Sequence, residues 1–313
     1  MASLREIKTR IASVRSTLKI TSAMKMISSA KLHKAQLSIG NKLPYERQLH
    51  RILAGILKDE DLHRMMLDEL GFSDAECSPV ILEDDGSGEE VPSKESVSRV
   101  ALVLFSSNTS LIGAFNSNII RLFKETLVRL EEAGYSKEDI DIYAVGRKIA
   151  EAARKEGFTP VRELDDLADK PDYGKASGLA EELVALFSSG KVSRVMMLYN
   201  RSASASVQLP VRENYLPLLL DDMDDSGDSA VDFIIEPDPV SLMKQLVPLV
   251  LMMKLYTVAL DTNAAEHAAR TLAMQVATDN AEKLLSELTL SYNKGRQQAI
   301  TSEILDLVGG MQS

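Results

Sequence analysis

The residues best suited to binding a phosphate group lie in the segment SSNTSLIGAFNSN, at positions 106–118. It follows an apolar, strand-like run and precedes an amphipathic run, which is where phosphate-binding loops lie. Such loops need several glycines so that backbone N–H groups can approach the anion, and this segment has only Gly113. It shows neither the GxGxxG pattern nor the GKS/T ending of a P-loop. An ordinary strand-to-helix turn is therefore predicted, with Asn116 or Ser117 capping the helix.

The other side chains able to do chemistry are scattered. None of the four histidines, His33, His50, His63 and His267, has a second histidine or cysteine at the spacing of metal ligands. No serine stands in a G-x-S-x-G motif. The sequence predicts no catalytic residue, no metal site and no cofactor site, and it favours a binding or mechanical component over an enzyme.

A long N-terminal helix is predicted over residues 3–57. Ser3 and Glu6 form a capping box at its start. Apolar residues then follow at coiled-coil spacing, first Ile7, Ile11, Val14 and Leu18, then more thinly Ala23, Met26, Ile27, Ala30 and Leu37. Gly40 and Pro44 are expected to bend the helix without ending it. Such a helix is about 80 Å long and needs an equally long partner.

The middle of the chain alternates between strands and helices. RVALVLFS, DIYAVG and VSRVMMLYNR read as strands, separated by amphipathic helical runs, and ASVQLPVRENYLP reads as a strand that pairs antiparallel. Acidic loops are predicted at 59–98, with a short helix at 61–70, and at 217–236. This order predicts an α/β domain with a largely parallel, Rossmann-like sheet.

A second long helix is predicted from Pro239 to about residue 308, with Leu242, Leu246, Leu249, Met253, Tyr256 and Leu260 as its apolar stripe. Two such helices at opposite ends of the chain pack most simply against each other as an antiparallel coiled coil. The predicted fold is α/β with this coiled coil, divided into 1–58 (N-terminal helix), 59–98 (acidic loop), 99–236 (α/β domain) and 237–313 (C-terminal helix).

Charge is distributed unevenly along the chain. Residues 1–58 hold 12 basic and 2 acidic side chains, whereas the whole chain has a net charge of −10. The basic helix is open to interpretation as a solvated coiled-coil face, a targeting peptide or a nucleic-acid-binding arm, and the absence of aromatic interleaving argues against nucleic acid. The most apolar run, LVPLVLMM, is shorter than the roughly 20 residues of a membrane span. The single cysteine, Cys77, excludes an internal disulfide.

The terminal segments resemble a known family. LREIKTRIASVRSTLKITSAMKMISSAKLHKAQ is similar to the N-terminal helix of the gamma subunits of F-type (rotary) ATP synthases. EPDPVSLMKQLVP and the segment from AAEHAARTLAMQ to ILDLVGG resemble the C-terminal helix of that family. The resemblance covers essentially the whole chain, and its terminal motifs are specific.

The resemblance implies a central-stalk rotor that transmits torque between a membrane c-ring and a ring of three alpha and three beta subunits, coupling ion flow to ATP synthesis or hydrolysis. It implies one copy per complex, contacts with an epsilon subunit, no catalysis by the chain itself, and a peripheral location on the cytoplasmic face of a bacterial plasma membrane. The alternatives are a coiled-coil adaptor without a rotary role and a nucleotide-binding enzyme with a coiled-coil appendage.

Six partner-contact residues follow from the resemblance. The motif R-Q-x-x-I-T-x-E places Arg296, Gln297 and Thr301 against beta-subunit loops. Lys19, Met24 and Lys25 are expected to face the alpha–beta collar.

The chain departs from the family pattern at the glycine-rich turn after the first strand, where only Leu111 and Gly113 match. With Cys77 alone, no thiol switch is expected. Pro248 is expected to kink the second helix.

Overall fold

The computed structural model describes residues 3–57, 99–202, 204, 207–217 and 238–310. The acidic loop predicted at 59–98, residues 218–236 of the loop predicted at 217–236, the helix predicted at 61–70 and Cys77 lie outside the described residues. The elements, in chain order, are α1 (Leu4–Leu57), β1 (Arg99–Phe105), α2 (Phe115–Glu132), a 3-10 turn (Lys137–Asp139), β2 (Ile140–Val145), α3 (Arg147–Lys155), β3 (Arg162–Glu163), α4 (Asp165–Asp169), α5 (Tyr173–Ser188), β4 (Val192–Ser202), β5 (Gln208–Leu216) and α6 (Pro239–Gly310).

The chain divides into two compact units. One comprises residues 1–31 with 270–313, and we call its described helical segments, 4–31 of α1 and 270–310 of α6, the helical pair. The other, residues 32–269, is the α/β unit. Each long helix contributes to both units.

The start of α1 confirms the predicted capping box. The Ser3 backbone N–H donates to Glu6 Oε2 at 3.0 Å, and the Glu6 N–H donates to Ser3 Oγ at 3.2 Å. These two bonds satisfy donors that have no partner inside the first turn of a helix. The helix then runs without interruption through Gly40 and Pro44 to Leu57.

The sheet has the strand order β3-β2-β1-β4-β5 among the described residues. β1 lies in the middle and pairs parallel with β2 on one side and β4 on the other. β2 pairs parallel with β3, and β5 returns antiparallel along β4, as predicted. The predicted α/β class is confirmed. The two-residue strand β3 and the one-turn helix α4 are too short to give a periodic signal, and the sequence did not predict them.

Both faces of the sheet are covered, which explains why β1 reads as a continuous apolar run. Val100, Leu102 and Leu104 point into a core formed with α2 and α3. The alternate residues of β1 point into a second core, formed with α5, α6 and the end of α1. Leu49 and Leu53 of α1 are buried in this second core, at 7% and 0% exposure.

The first half of α6 is a core helix of the α/β unit. It begins at Pro239, as predicted, and Asp238 Oδ1 accepts a hydrogen bond from the Ser241 N–H at 2.8 Å. Its buried surface is wider than the predicted stripe, because Met243, Val247, Val250, Leu251, Leu255 and Val258 are buried as well. The helix continues on both sides of Pro248, and the kink predicted there stays a prediction.

The apolar character of α6 follows from this burial. Within Ser241–Ser302 an 18-residue window is apolar enough to cross a membrane by length and composition, and 56% of it is buried inside the structure. The apolar residues of this helix line the second core of the α/β unit, including Leu246 and Met253. A helix that is apolar around most of its circumference is typical of a domain core.

Candidate functional site

The helical pair is antiparallel. Near one end Thr278 Oγ1 donates to Thr21 Oγ1 at 3.0 Å, and near the other a Cβ placed on Gly295 would lie 3.1 Å from Leu4 Cδ2. From the first contact to the second, the residue number falls along α1 and rises by the same amount along α6, so the two helices run in opposite directions. The predicted antiparallel coiled coil is therefore confirmed in this unit, with one regular register.

On α1, a series of buried and half-buried positions recurs at intervals of three and four residues, the spacing of a coiled-coil seam. These seam positions are Leu4, Ile7, Ile11, Val14, Leu18, Thr21, Lys25 and Ser28, and Ser22 and Met24 beside them are half-buried too. The predicted start of the stripe is therefore confirmed. Its predicted continuation is wrong, because Met26 and Ile27 are 72% and 59% exposed and Ala23 and Ala30 are exposed too.

The predicted stripe fails here because the seam positions are no longer apolar. From Thr21 onward the inward positions hold hydroxyls and a lysine, and the apolar residues stand at other positions of the heptad. Leu37, the last residue of the predicted stripe, is 58% exposed in the α/β unit. A strict count of intervals from Leu18 would have reached Thr21, Lys25 and Ser28.

The facing seam on α6 has the same spacing. It is formed by Met274, Thr278, Ala281, Leu285, Leu288, Tyr292, Gly295 and Ala299. Three of these, Ala281, Gly295 and Ala299, are small, which allows the two backbones to approach closely. At Gly295 any side chain would press on Leu4.

The six predicted contact residues form two groups. Lys19 is exposed, whereas Met24 and Lys25 are half-buried, Lys25 at a seam position. Arg296, Gln297 and Thr301 are exposed, and Thr301 Oγ1 donates to the Gln297 carbonyl at 2.9 Å. Among the described residues, the side chains of Lys19, Arg296 and Gln297 make no ion pair or hydrogen bond.

The structure does not bring the two groups together. The first group surrounds the Thr21–Thr278 contact, and the second adjoins the Leu4–Gly295 contact. At 1.5 Å per residue these levels are about 25 Å apart along the helical pair. Any partner that engages both groups must extend along the pair or contribute several contacts.

Large apolar side chains also lie on the outward faces of the helical pair. They are Ile20, Met26 and Ile27 on α1, and Leu272, Val276, Leu284, Leu290, Ile300, Ile304 and Leu305 on α6, with exposures from 41% to 74%. Exposed apolar surface of this kind marks protein–protein contacts. The signal available in the sequence was the set of apolar residues left over once the seam had been assigned.

The turn after β1 is held by hydrogen bonds between its own side chains and backbone. Asn116 Oδ1 accepts from the Ser107 N–H at 3.3 Å and from Ser107 Oγ at 3.0 Å. Asn116 Nδ2 donates to the Thr109 carbonyl at 3.2 Å. The predicted capping role is wrong, because the residue before α2 is Ala114 and makes no side-chain cap, while Asn116 closes the turn. Leu111 and Gly113 both have positive φ, 66° and 58°, which fixes the backbone shape of this turn.

The backbone N–H groups at the start of α3 are also hydrogen-bonded within the chain. At α3, Asn108 Oδ1 accepts from the Arg147 N–H at 2.9 Å, and Ser106 Oγ accepts from the Ile149 N–H at 3.0 Å. A Cβ on Gly146, whose φ is 105°, would lie 2.4 Å from the Ser106 carbonyl oxygen, so only glycine fits there. The backbone donors that a phosphate would use at this helix are thus already taken. Within the described ranges no group of three or more His, Cys, Asp or Glu could hold a metal ion.

The similarity of this chain to known proteins extends over almost its whole length. A family model described as ATP synthase matches residues 3–313. The ATP synthase gamma chain of Bacteroides fragilis is 49% identical over 313 residues, covering 99% of each chain. That of Bacteroides thetaiotaomicron is 48% identical over 321 residues, again covering 99% of each.

Solved structures show the same fold. A chain of the Euglena gracilis mitochondrial ATP synthase aligns with a TM-score of 0.60 at 18% identity, over 99% of this chain and 93% of that one. A chain of the Tetrahymena thermophila mitochondrial ATP synthase, from a central stalk and c-ring structure, aligns with a TM-score of 0.55 at 18% identity, over 82% and 99%.

Proposed function

This chain belongs to the ATP synthase gamma chain family, the central-stalk rotor subunits of F-type ATP synthases, and we propose that it transmits torque between the membrane c-ring and the catalytic alpha–beta hexamer. Through that torque, ion flow across the membrane is coupled to ATP synthesis or hydrolysis. The observation that carries this proposal is the antiparallel helical pair, whose single regular seam leaves both outward faces free for partners.

The exposed faces of the pair suit a partner that surrounds them. The α1 segment is basic, with Lys8, Arg15 and Lys19 exposed, and it also presents Ile20 and Ile27. Exposed charged contacts are individually weak, generally below about 1 kcal/mol, so none would hold the rotor at one angle. Because the two helices differ in sequence, the pair presents a different surface to each of three surrounding catalytic subunits. Such differential contacts would bias the open–closed equilibrium of each subunit.

The specific contacts form two levels. We propose that Lys19, Met24 and Lys25 meet the alpha–beta collar and that Arg296, Gln297 and Thr301 engage beta-subunit loops. The arginine suits carboxylate-bearing loops, since its planar guanidinium makes bidentate hydrogen bonds. The exposure of Arg296 and Gln297 supports this assignment.

The chain is proposed to act without catalytic groups of its own. The turn that most resembles a phosphate loop is closed by Asn116, and the donors at the start of α3 are bound to Ser106 and Asn108. We further propose one copy per complex, together with three alpha and three beta subunits. The α/β unit is proposed to contact the epsilon subunit and the c-ring, at the cytoplasmic face of the plasma membrane.

The sequence identity to an ATP synthase gamma chain over 99% of this chain favours the rotor function over a coiled-coil adaptor without a rotary role.

Assembly tests the proposal. The chain is coexpressed with the alpha and beta subunits of the same organism, and the product is sized and assayed for ATP hydrolysis. A single complex with one copy of this chain, whose hydrolysis falls when residues 296–313 are removed, is expected. A chain that elutes apart from the alpha–beta hexamer would overturn the proposal.

A further inference from the structure

A charged cluster joins the sheet to α6 inside the α/β unit. Glu213 on β5 accepts a hydrogen bond from the Tyr199 hydroxyl on β4 at 2.7 Å through Oε2. Its other oxygen, Oε1, forms an ion pair with Lys254 Nζ on α6. The side chains of Lys254 and Glu213 are only 25% and 20% exposed, so the pair is largely screened from water.

A separate polar contact lies on α1. Glu46 is 8% exposed and lies 3.2 Å from His50 Nε2, one turn further along the same helix. Burial alone would raise the pKa of Glu46, but the nearby His50 side chain and the charge of Lys254 outweigh it and lower the pKa.

The surroundings of this cluster are apolar. Leu49, Leu53, Val250, Leu251 and Val258 form the packing between the helices and the sheet. The hydrophobic effect that drives this packing is itself non-directional, so directional polar bonds can add a specific rotational register to it. Burying an ion pair costs desolvation free energy, and the best-attested benefit of such a pair is a fixed register.

Other polar bonds attach α6 to the same two strands. The Tyr215 hydroxyl on β5 donates to the Leu251 carbonyl at 2.9 Å. The Ser202 N–H at the end of β4 donates to Asp261 Oδ2 at 3.3 Å. Directional bonds at residues 251, 254 and 261 thus hold about 15 Å of helix against one hairpin.

We propose that the Glu213–Lys254 pair, with Tyr199 as its flanking group, is a torsional lock that fixes the rotational register of α6 against the sheet. The inference rests on the rotor function. Torque applied to the α/β unit reaches α6 through these directional bonds. Lys254 and Glu213 are positioning residues, since neither needs to touch a nucleotide or the coupled ion.

The test uses the complete ATP synthase in sealed vesicles, with Lys254→Met compared with the conservative Lys254→Arg. The matched control is Lys124→Met, which removes the exposed Lys124–Glu156 pair of the same unit, 2.7 Å long, without touching α6 or α1. Pumping of the coupled ion, H⁺ or Na⁺, and ATP hydrolysis are measured together. Torsional stiffness is measured from the angular fluctuations of a bead on the α/β unit while the hexamer is fixed.

Lys254→Met is expected to lower both the number of coupled ions pumped per ATP hydrolysed and the torsional stiffness, each by about two-fold or more. For the pumping ratio this is the scale of change seen when residues between two coupled sites are altered. Lys254→Arg and Lys124→Met are expected to match the natural enzyme. Equal pumping and stiffness in Lys254→Met would overturn the lock.

A second variant, Glu213→Gln, tests the same pair if the Lys254→Met chain does not assemble into the complex. Glu213→Gln keeps the shape of the side chain and the bond to Tyr199 but removes the charge, and it is expected to lower the same two quantities. Unchanged values in Glu213→Gln would overturn the lock. If the natural enzyme itself shows no ATP-driven rotation, the rotor function fails instead.

Discussion

Asp261 is a carboxylate whose surroundings oppose its ionisation. It lies on α6, and burial raises its pKa from 3.8 to about 6, although the Ser202 N–H and Arg201 favour the charged form. Below pH 3.8 the group is protonated in both folded and unfolded chains. As pH rises to about 6 the unfolded chain releases the proton first, so the free energy of unfolding falls, and the loss persists at higher pH.

Asp261→Asn is therefore expected to stabilise the chain above pH 6, by up to about 3 kcal/mol for a shift of this size. Asparagine keeps an oxygen that can accept from Ser202. The measurement is denaturant unfolding of both chains at pH 4 and pH 8, with the exposed Asp169→Asn as control. A gain in stability that is equal at both pH values would contradict the assignment.

Arg296 and Gln297 carry the proposed contact with the beta subunits. Replacing both with alanine is expected to lower ATP hydrolysis by the reconstituted complex about five-fold or more, since loss of a major interface contact costs above about 1 kcal/mol. Asn293→Ala with Lys294→Ala, at exposed positions one turn away, is the matched control. Unchanged hydrolysis in the first variant, or an equal loss in both, would remove these residues from the interface.

Among the elements, the seam of the helical pair depends on a polar layer. The Thr21 and Thr278 hydroxyls bond to each other, and Thr21 Oγ1 also donates to the Leu18 carbonyl at 3.1 Å. Both threonines are buried, at 8% and 7% exposure. Leaving one buried hydroxyl without its partner costs about 1–3 kcal/mol, whereas replacing both partners by apolar groups of the same shape is close to neutral.

Valine substitutions test this layer. Thr278→Val alone is expected to lower the free energy of unfolding by about 1 kcal/mol, and Thr21→Val with Thr278→Val to recover part of that loss. Thr289→Val, at an exposed α6 position, serves as control. Strictly additive losses in the double variant would show that the hydroxyls do not act as a pair.

At this scale the sequence predicted much of the fold. The capping box at Ser3, the strands predicted at 99–106 and 141–146 and the antiparallel return of β5 follow from local patterns. They are confirmed, the two strands being observed at Arg99–Phe105 and Ile140–Val145. The seam beyond Leu18 was misassigned because helix register there is carried by hydroxyls and a lysine. The Glu213–Lys254 pair was not predicted, because it joins residues distant in sequence and neither lies in a motif.

On the scale of the whole molecule, two kinds of packing serve two tasks. The α/β unit is held by large apolar cores on both faces of its sheet, with buried polar bonds at a few points. The helical pair has a narrow seam of small and mixed residues and leaves apolar and basic side chains exposed. The first arrangement resists deformation, and the second leaves surface available to changing partners, as a rotor requires.

The most direct measurement is rotation of single complexes. The alpha–beta hexamer is fixed to a surface, and a probe is attached to a cysteine at the exposed Ser189 position in a Cys77→Ser chain. Rotation in one direction, dependent on ATP and pausing at three angles, is the result that a torque-transmitting rotor predicts. Continued ATP hydrolysis with a stationary or randomly fluctuating probe would contradict that function.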